Sequence, residues 1–109
     1  MHTKTVRQQG NKPTWWRVRF QAKHRINLVV IYNRLDECCD QRIDGAQVYA
    51  GSHKCGTIRF IEKHSVYYVD CGGVQADFVK VMHPKELLNL AEVQVFGKWS
   101  GRELSYVDR

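Results

Sequence analysis

The chain has 109 residues and a formal net charge of +6, with 43% hydrophobic and 11% aromatic residues. This length fits one domain with one core. The composition excludes an intrinsically disordered protein, which would have low hydrophobicity and few aromatic residues. No apolar run approaches the roughly 18 residues of a membrane span, and the polar, basic start of the chain does not resemble a signal peptide.

Basic residues are concentrated early in the chain, where no acidic residue precedes residue 26. They predict either a solubilising surface or a surface that binds polyanions such as sulfated glycans or nucleic acid. In the second interpretation Trp15, Trp16 and Phe20 offer stacking faces, although their strand period favours burial of Trp16 and Phe20. The basic residues are Lys4, Arg7, Lys12, Arg17, Arg19, Lys23 and Arg25.

The periodicity along the chain is that of β-strands. In the first of them, alternation places Trp16, Val18 and Phe20 on one face, and the β-branched run at 26–32 is typical of a buried strand. Glycines mark turns and bracket a predicted loop around His53. Strands are predicted at residues 15–20, 26–32, 46–50, 57–61, 66–69, 77–82 and 88–96. Short strands at turn spacing indicate an all-β, antiparallel sandwich.

The four cysteines are Cys38, Cys39, Cys55 and Cys71, and no C-x-x-C motif is present. The usual zinc-ribbon and redox signatures are therefore absent. A Cys/His metal site that uses the nearby His53 is possible, but its spacing is unorthodox. Two disulfides in an oxidising compartment fit the sequence better.

An enzyme is not indicated. A cysteine nucleophile would need a base and a group that orients the base, and no local signature joins a cysteine to a histidine. The acids Asp36, Glu37 and Asp40 lie beside Arg34 and Arg42, which would hold them ionised. An ionised carboxylate cannot act as a general acid in glycoside hydrolysis.

The densest polar segment, residues 33–46, follows a predicted strand. Arg34 and Arg42 each carry a rigid fork of N–H donors, and two such forks could grip neighbouring sugar hydroxyls. Asp36 and Asp40 would orient the guanidinium groups. The alternative is a solvated loop with internal salt bridges.

This segment reads Asn-Arg-x-Asp, then Cys-Cys-x-x-Arg-Ile-x-Gly-Ala, and resembles the fucose-binding loop of the fucolectins, or F-type lectins. The resemblance covers about residues 13–99. It also includes the Trp-Trp-Arg-Val run, the surroundings of Cys55 and Cys71, and the closing Leu-x-Leu-x-Glu-Val-x-Val-Phe-Gly strand.

The resemblance implies a β-jelly-roll sandwich of the discoidin type, which is the galactose-binding-domain-like fold. It also implies a secreted, non-catalytic lectin that binds terminal fucose in innate-immune or cell-surface recognition. Arg34, Arg42 and His2 would donate hydrogen bonds to the sugar, and a Cys38–Cys39 vicinal disulfide would pack against it. Cys55 and Cys71 would form the second disulfide. Weak single sites imply homo-oligomers that gain avidity, and neither nucleic acid nor a membrane span is expected.

The chain also departs from the family pattern. Glu37 is an extra residue in the loop, and the family's early strands and most of its calcium ligands are absent. Only Glu92 and the carbonyl of Ala91 match calcium positions, whereas calcium takes about six to eight oxygens. A non-binding structural remnant is therefore a further interpretation. The predicted organisation is an N-terminal tail at 1–12, an incomplete lectin-like sandwich at 13–99 and a C-terminal tail at 100–109.

Overall fold

The computed structural model describes the backbone of residues 3–8 and, in full, residues 14–34, 40–86, 88, 90–99 and 101–108. Within this part the chain forms strands and one short 3₁₀ turn, Asp40–Ile43. The strands are β1 (Thr3–Gln8), β2 (Thr14–Asn33), β3 (Gln47–Ala50), β4 (His53–Thr57), β5 (Val66–His83), β6 (Leu90–Trp99) and β7 (Arg102–Asp108). No helix in the described residues is long and apolar enough to cross a membrane.

All strand pairs are antiparallel, and the order across the sheet is β4-β3-β5-β2-β6-β7, with β1 also paired to β2. The 20 residues of β2 would extend about 66 Å as a straight strand, but the molecule is only 42 Å long. The strand therefore bends, at register shifts between Arg19 and His24 and between Ile26 and Leu28.

The bend folds the sheet into two layers. The first half of β2 pairs with β1, and its second half pairs with β6. Trp16 and Phe20 in the first half contact Tyr106 of β7, with ring centroids 6.5 Å and 5.9 Å apart. Trp16 Nε1 also donates a hydrogen bond of 2.6 Å to the Asp108 carboxylate. The predicted antiparallel sandwich is confirmed.

The core follows the alternation of the strands. Trp16, Val18 and Phe20 are all buried, which confirms the predicted face, and each fully buried large apolar side chain stabilises the fold by about 1.5–3 kcal/mol. The predicted disulfide between Cys55 and Cys71 is present and joins β4 to β5. Closing a loop of this length stabilises the fold by about 3 kcal/mol.

Several predicted boundaries were wrong. The predicted tails 1–12 and 100–109 contain β1 and β7. The strand β7 is recruited because Leu104 and Tyr106 cover the core and its backbone pairs with β6. Beyond the tails, β2 and β5 each join two predicted strands through a bend.

The predicted loop around His53 is also wrong, because these residues form strand β4. The predicted strand at 57–61 stops at Thr57. Beyond it, Ile58 donates its N–H to the Ala46 carbonyl, and the Phe60 N–H bonds to the Asp44 carboxylate. These residues therefore hold the turn at 44–46 and do not continue a ladder.

Candidate functional site

The two ends of the bent strand β2 meet at the same end of the sandwich. At its C-terminal end, Asn33 Nδ2 donates a hydrogen bond of 2.8 Å to the carbonyl of Asp40, in the 3₁₀ turn. At its N-terminal end, Thr14 bonds to Glu86 and Leu88 of the segment between β5 and β6. This end, which carries the predicted arginine loop, is called the arginine end below.

Both predicted arginines lie at the arginine end and are exposed. Arg34 directly follows β2, and Arg42 projects from the 3₁₀ turn. The turn is anchored by Ile43, which is buried, and by the hydrogen bond from the Ala46 N–H to the Ile43 carbonyl. The apolar side chain at 43 therefore points inward and leaves Arg42 on the surface.

Arg42 borders an open groove of about 450 Å³. Its Nε lies 3.8 Å from the Glu86 carboxylate, and both side chains are nearly half exposed. An ion pair between exposed groups stabilises by only about 0–1 kcal/mol, so ligand hydroxyls can displace it. The groove is lined by Gln41, Arg42, Asp44, His83, Lys85 and Glu86.

His83 joins the two segments that form this groove. Its buried ring bonds through Nε2 to the Asp44 carbonyl at 2.7 Å, and Nδ1 accepts from the N–H groups of Lys85 and Glu86 at 3.0 Å each. These partners fix the neutral tautomer with its proton on Nε2, because a carbonyl only accepts and a backbone N–H only donates. One imidazole thus fixes the turn after Arg42 and the loop that carries Glu86.

Thr14 holds the same loop from the other side. Its buried hydroxyl donates to the Glu86 carbonyl at 2.7 Å and accepts from the Leu88 N–H at 3.1 Å. Together with His83 it gives hydrogen-bond partners to backbone groups of Lys85, Glu86 and Leu88. The groove is therefore held in place before any ligand binds.

Sequence reasoning missed His83, Thr14 and Glu86. The period-two pattern contained a signal for the first two, since Thr14 shares the face of Trp16, and His83 shares the face of Val79 and Val81. A polar side chain on the buried face of a strand needs hydrogen-bond partners. Glu86 gave no local signal because its contact with Arg42 is tertiary.

Not every predicted site residue can be placed. Asp36, Cys38 and Cys39 lie outside the described residues, as does the inserted Glu37. Asp40 contributes its carbonyl, which accepts from Asn33, whereas the carboxylate described beside Arg42 is that of Glu86. The orienting roles of Asp36 and Asp40 remain predictions.

His2 also lies outside the described residues, but β1 constrains the neighbouring chain. Thr3 pairs with Phe20, and Gln8 pairs with Trp15, next to Thr14. Thr3 is therefore separated from the arginine end by a strand length of about 17 Å. This register makes Arg34 and Arg42 the stronger candidates for sugar contacts.

The calcium positions do not form a site in the described part of the chain. The Glu92 carboxylate accepts a hydrogen bond from Gln94 Nε2, and the described residues hold no cluster of three or more His, Cys, Asp or Glu side chains. Glu92 and the Ala91 carbonyl alone do not fit an ion that takes about six to eight oxygens.

Two curated proteins are about one-third identical to the chain over an aligned stretch of 93 residues. The pentraxin fusion protein of Xenopus laevis is 33% identical, with 75% of this chain and 22% of that protein covered. Fucolectin-3 of Anguilla japonica is 34% identical, with 75% of this chain and 51% of that protein covered. The chain thus spans at most about half the length of these relatives.

Solved structures share the fold. A fucolectin from the serum of Morone saxatilis aligns with a TM-score of 0.74 over 87% of this chain and 36% of that one, at 24% identity. A fucose binding module of Streptococcus pneumoniae aligns with a TM-score of 0.69 over 86% of this chain and 70% of that one, at 25% identity. The family model described as NedA-like, galactose-binding domain matches residues 2–81. The chain therefore belongs to the NedA-like, galactose-binding domain family, with the fucolectins among its relatives.

Proposed function

We propose that this chain is a non-catalytic lectin domain that binds terminal fucose on glycans at the arginine end. The observation that carries the proposal is the exposed Arg42 beside an open groove whose walls are fixed by buried hydrogen bonds. The fucolectin and fucose-module relatives support the same ligand.

The groove offers what a neutral sugar needs. A pyranose presents several hydroxyls, which accept well from the forked donors of an arginine. The Glu86 carboxylate provides an acceptor for the sugar's own O–H groups. Because His83 and Thr14 already hold the backbone, little ordering free energy is spent on binding.

Arg34 is the proposed second donor. The Asn33–Asp40 hydrogen bond brings the residue before Arg34 next to the turn that carries Arg42. The vicinal Cys38–Cys39 disulfide is proposed as the apolar contact of this site. The register of β1 keeps Thr3 away from the arginine end, so His2 is not among the proposed donors. Fucosylated glycans are the proposed partners, and homo-oligomerisation is the proposed route to useful avidity.

An extracellular location is proposed as well. The Cys55–Cys71 disulfide joins two strands of the sandwich, and structural disulfides persist in oxidising compartments outside the cytosol. The fucolectin relatives support the same location.

The test is a fucose titration monitored by calorimetry or NMR. The parent protein is compared with two arginine variants. We expect Arg42→Ala to weaken fucose binding about 100-fold, because it removes charge-assisted hydrogen bonds of about 1.5–3 kcal/mol. Arg19→Ala is the matched control, since Arg19 is also exposed and contacts one carboxylate, Asp77, at 3.2 Å. The control should bind fucose as the parent does.

Salt gives an independent readout. Fucose is neutral, so its affinity should change less than twofold between low and high salt, unlike ion-driven binding, which weakens steeply. No fucose binding by the parent protein, or equal loss in the Arg19→Ala control, would contradict the proposal.

A further inference from the structure

A second pocket, of about 450 Å³, opens at the opposite end of the sandwich, where β2 bends and β6 turns into β7. Trp99 lines this pocket and is 43% exposed, one of four exposed large hydrophobic side chains among the described residues. This region is called the Trp99 end below. The pocket is lined by Gln21, Ala22, His24, Trp99, Arg102 and Glu103.

His24 lines this pocket and has an unsatisfied polar atom. The residue is 2% exposed, its ring lies 5.6 Å from the Trp99 ring, and Nε2 is buried with no hydrogen-bond partner. Nδ1 lies 2.7 Å from the Ala22 carbonyl and must donate to it, so in the neutral imidazole Nε2 is an acceptor. Such an atom is rare in folded proteins and indicates an absent hydrogen-bond donor.

A groove of about 240 Å³ shares Trp99 with this pocket and is basic. It is lined by three exposed cations, Lys23, Arg25 and Lys98, none of which has an ion-pair partner among the described residues. Arg25 and Lys98 are directly opposite each other on β2 and β6, a like-charge arrangement that is destabilising. An acid, Glu103, is opposite Lys98 on β7, but it lines the neighbouring pocket.

Two other cations of the basic N-terminal third, Arg17 and Arg19, already have contacts within the described part of the chain. Arg19 pairs with Asp77 and stacks over Phe78, and Arg17 stacks over Trp15. The predicted stacking residues Trp16 and Phe20 are buried in the core. Among the described side chains of this third, the cations without such a contact, Lys23 and Arg25, lie at the Trp99 end.

The two halves of this region require different chemistry. The lone pair on His24 Nε2 needs a donor, which a sulfate or carboxylate cannot provide but a hydroxyl can. The basic groove attracts an anion, and the exposed indole of Trp99 offers a flat apolar face. A molecule with hydroxyl groups, an apolar ring face and an acidic substituent meets all these requirements.

We propose that the Trp99 end is a second saccharide site, specific for an acidic sugar that carries a sulfate or carboxylate group. The sugar ring stacks on Trp99, one hydroxyl donates to His24 Nε2 after the indole rotates aside, and the acidic group lies between Lys23, Arg25 and Lys98. The site is separate from the arginine end and does not depend on fucose binding there.

The test is NMR titration of the full chain, with the Trp99 indole N–H as the reporter. Four probes separate the contributions: galactose 6-sulfate, glucuronic acid, neutral galactose and inorganic sulfate. At least one acidic sugar should bind about fivefold tighter than galactose, the size of one or two exposed charge contacts. Inorganic sulfate alone should leave the indole signal in place.

Variants assign the contacts. Trp99→Ala lacks the reporter indole and is followed through the backbone amide signals of Lys98 and Gly101. It should weaken binding of the acidic sugar about tenfold through loss of the stacking face. Lys23→Gln/Lys98→Gln should remove the preference for the acidic sugar over galactose, whereas Lys54→Gln/Lys63→Gln, which changes two exposed lysines elsewhere, should keep it. Fucose binding measured on the same variants should not change.

Three results would overturn the proposal. These are no binding of either acidic sugar by the parent chain, an equal response to inorganic sulfate, and an equal loss of preference in the Lys54/Lys63 control. Fucose is titrated separately on each variant. A loss of fucose binding can therefore be distinguished from a loss of acidic-sugar binding at the Trp99 end.

Discussion

Each end of the sandwich is built around a buried histidine, and the two histidines are in opposite states. At the arginine end, His83 has partners on both ring nitrogens, three backbone groups in all. At the Trp99 end, His24 has one partner and leaves Nε2 unpaired. The His83 ring therefore holds its loops without a ligand. The unpaired, buried Nε2 of His24 lowers the stability of the free protein, and a ligand that donates to it would remove this penalty.

The charged side chains at the two ends also differ in whether they have a partner of opposite charge. Arg42 lies near the Glu86 carboxylate, whereas Arg25 faces another cation, Lys98. A guanidinium that already lies beside a carboxylate suits a neutral ligand, because the ligand's hydroxyls can take over its hydrogen bonds. Opposed cations suit an anion, which relieves their repulsion. One strand, β2, therefore contributes to two regions of different chemistry, one at its ends and one at its bend.

The largest difference between the ends should come from replacing His83. We expect His83→Leu to lower the free energy of unfolding by about 3 kcal/mol, since three hydrogen bonds of about 1 kcal/mol each are lost. Fucose affinity should fall with it, because the turn after Arg42 and the Glu86 loop are no longer joined. Chemical denaturation and fucose titration measure the two effects.

The Trp99 end serves as the internal control for that variant. At temperatures where His83→Leu remains folded, its affinity for the acidic sugar should equal that of the parent. A parallel loss at both ends would mean that His83 stabilises the whole sandwich and has no positioning role at the arginine end.

A smaller effect is expected from Thr14→Val, which preserves the side-chain shape. The hydroxyl bonds to the Glu86 carbonyl and the Leu88 N–H, so its removal should destabilise the fold by about 2 kcal/mol. Thr57→Val, at the end of β4, is the comparison and should change the stability by less than about 0.5 kcal/mol. Equal denaturation midpoints for the two variants would contradict the role given to Thr14.

The smallest change in stability is expected from His24→Phe. Removing the unpaired Nε2 is favourable, and losing the Nδ1 bond to Ala22 is unfavourable, so the net change should stay within about 1 kcal/mol. Binding of the acidic sugar should nevertheless weaken. Thermal unfolding and sugar titration on one sample check both, and a loss of stability equal to that of His83→Leu would show that His24 is purely structural.

Much of the fold could be predicted from the sequence because alternation or β-branched runs mark most of its strands. Trp16, Val18 and Phe20 were placed on the buried face by period alone, and their burial followed. The last strand was missed, since β7 carries polar residues among its apolar ones. It becomes a strand only because β6 offers an open edge and Tyr106 covers Trp16 and Phe20.

The sequence by itself determined the all-β class, the Cys55–Cys71 pairing through family resemblance, and the two arginines as candidates, since residue type and spacing are local properties. Tertiary structure decided the rest. The bend in β2 brings Thr14 and Asn33 to one end of the molecule and leaves His24 beside Trp99 at the other. These partners are far apart along the chain, and no local pattern encodes a contact made by folding a strand back across the core.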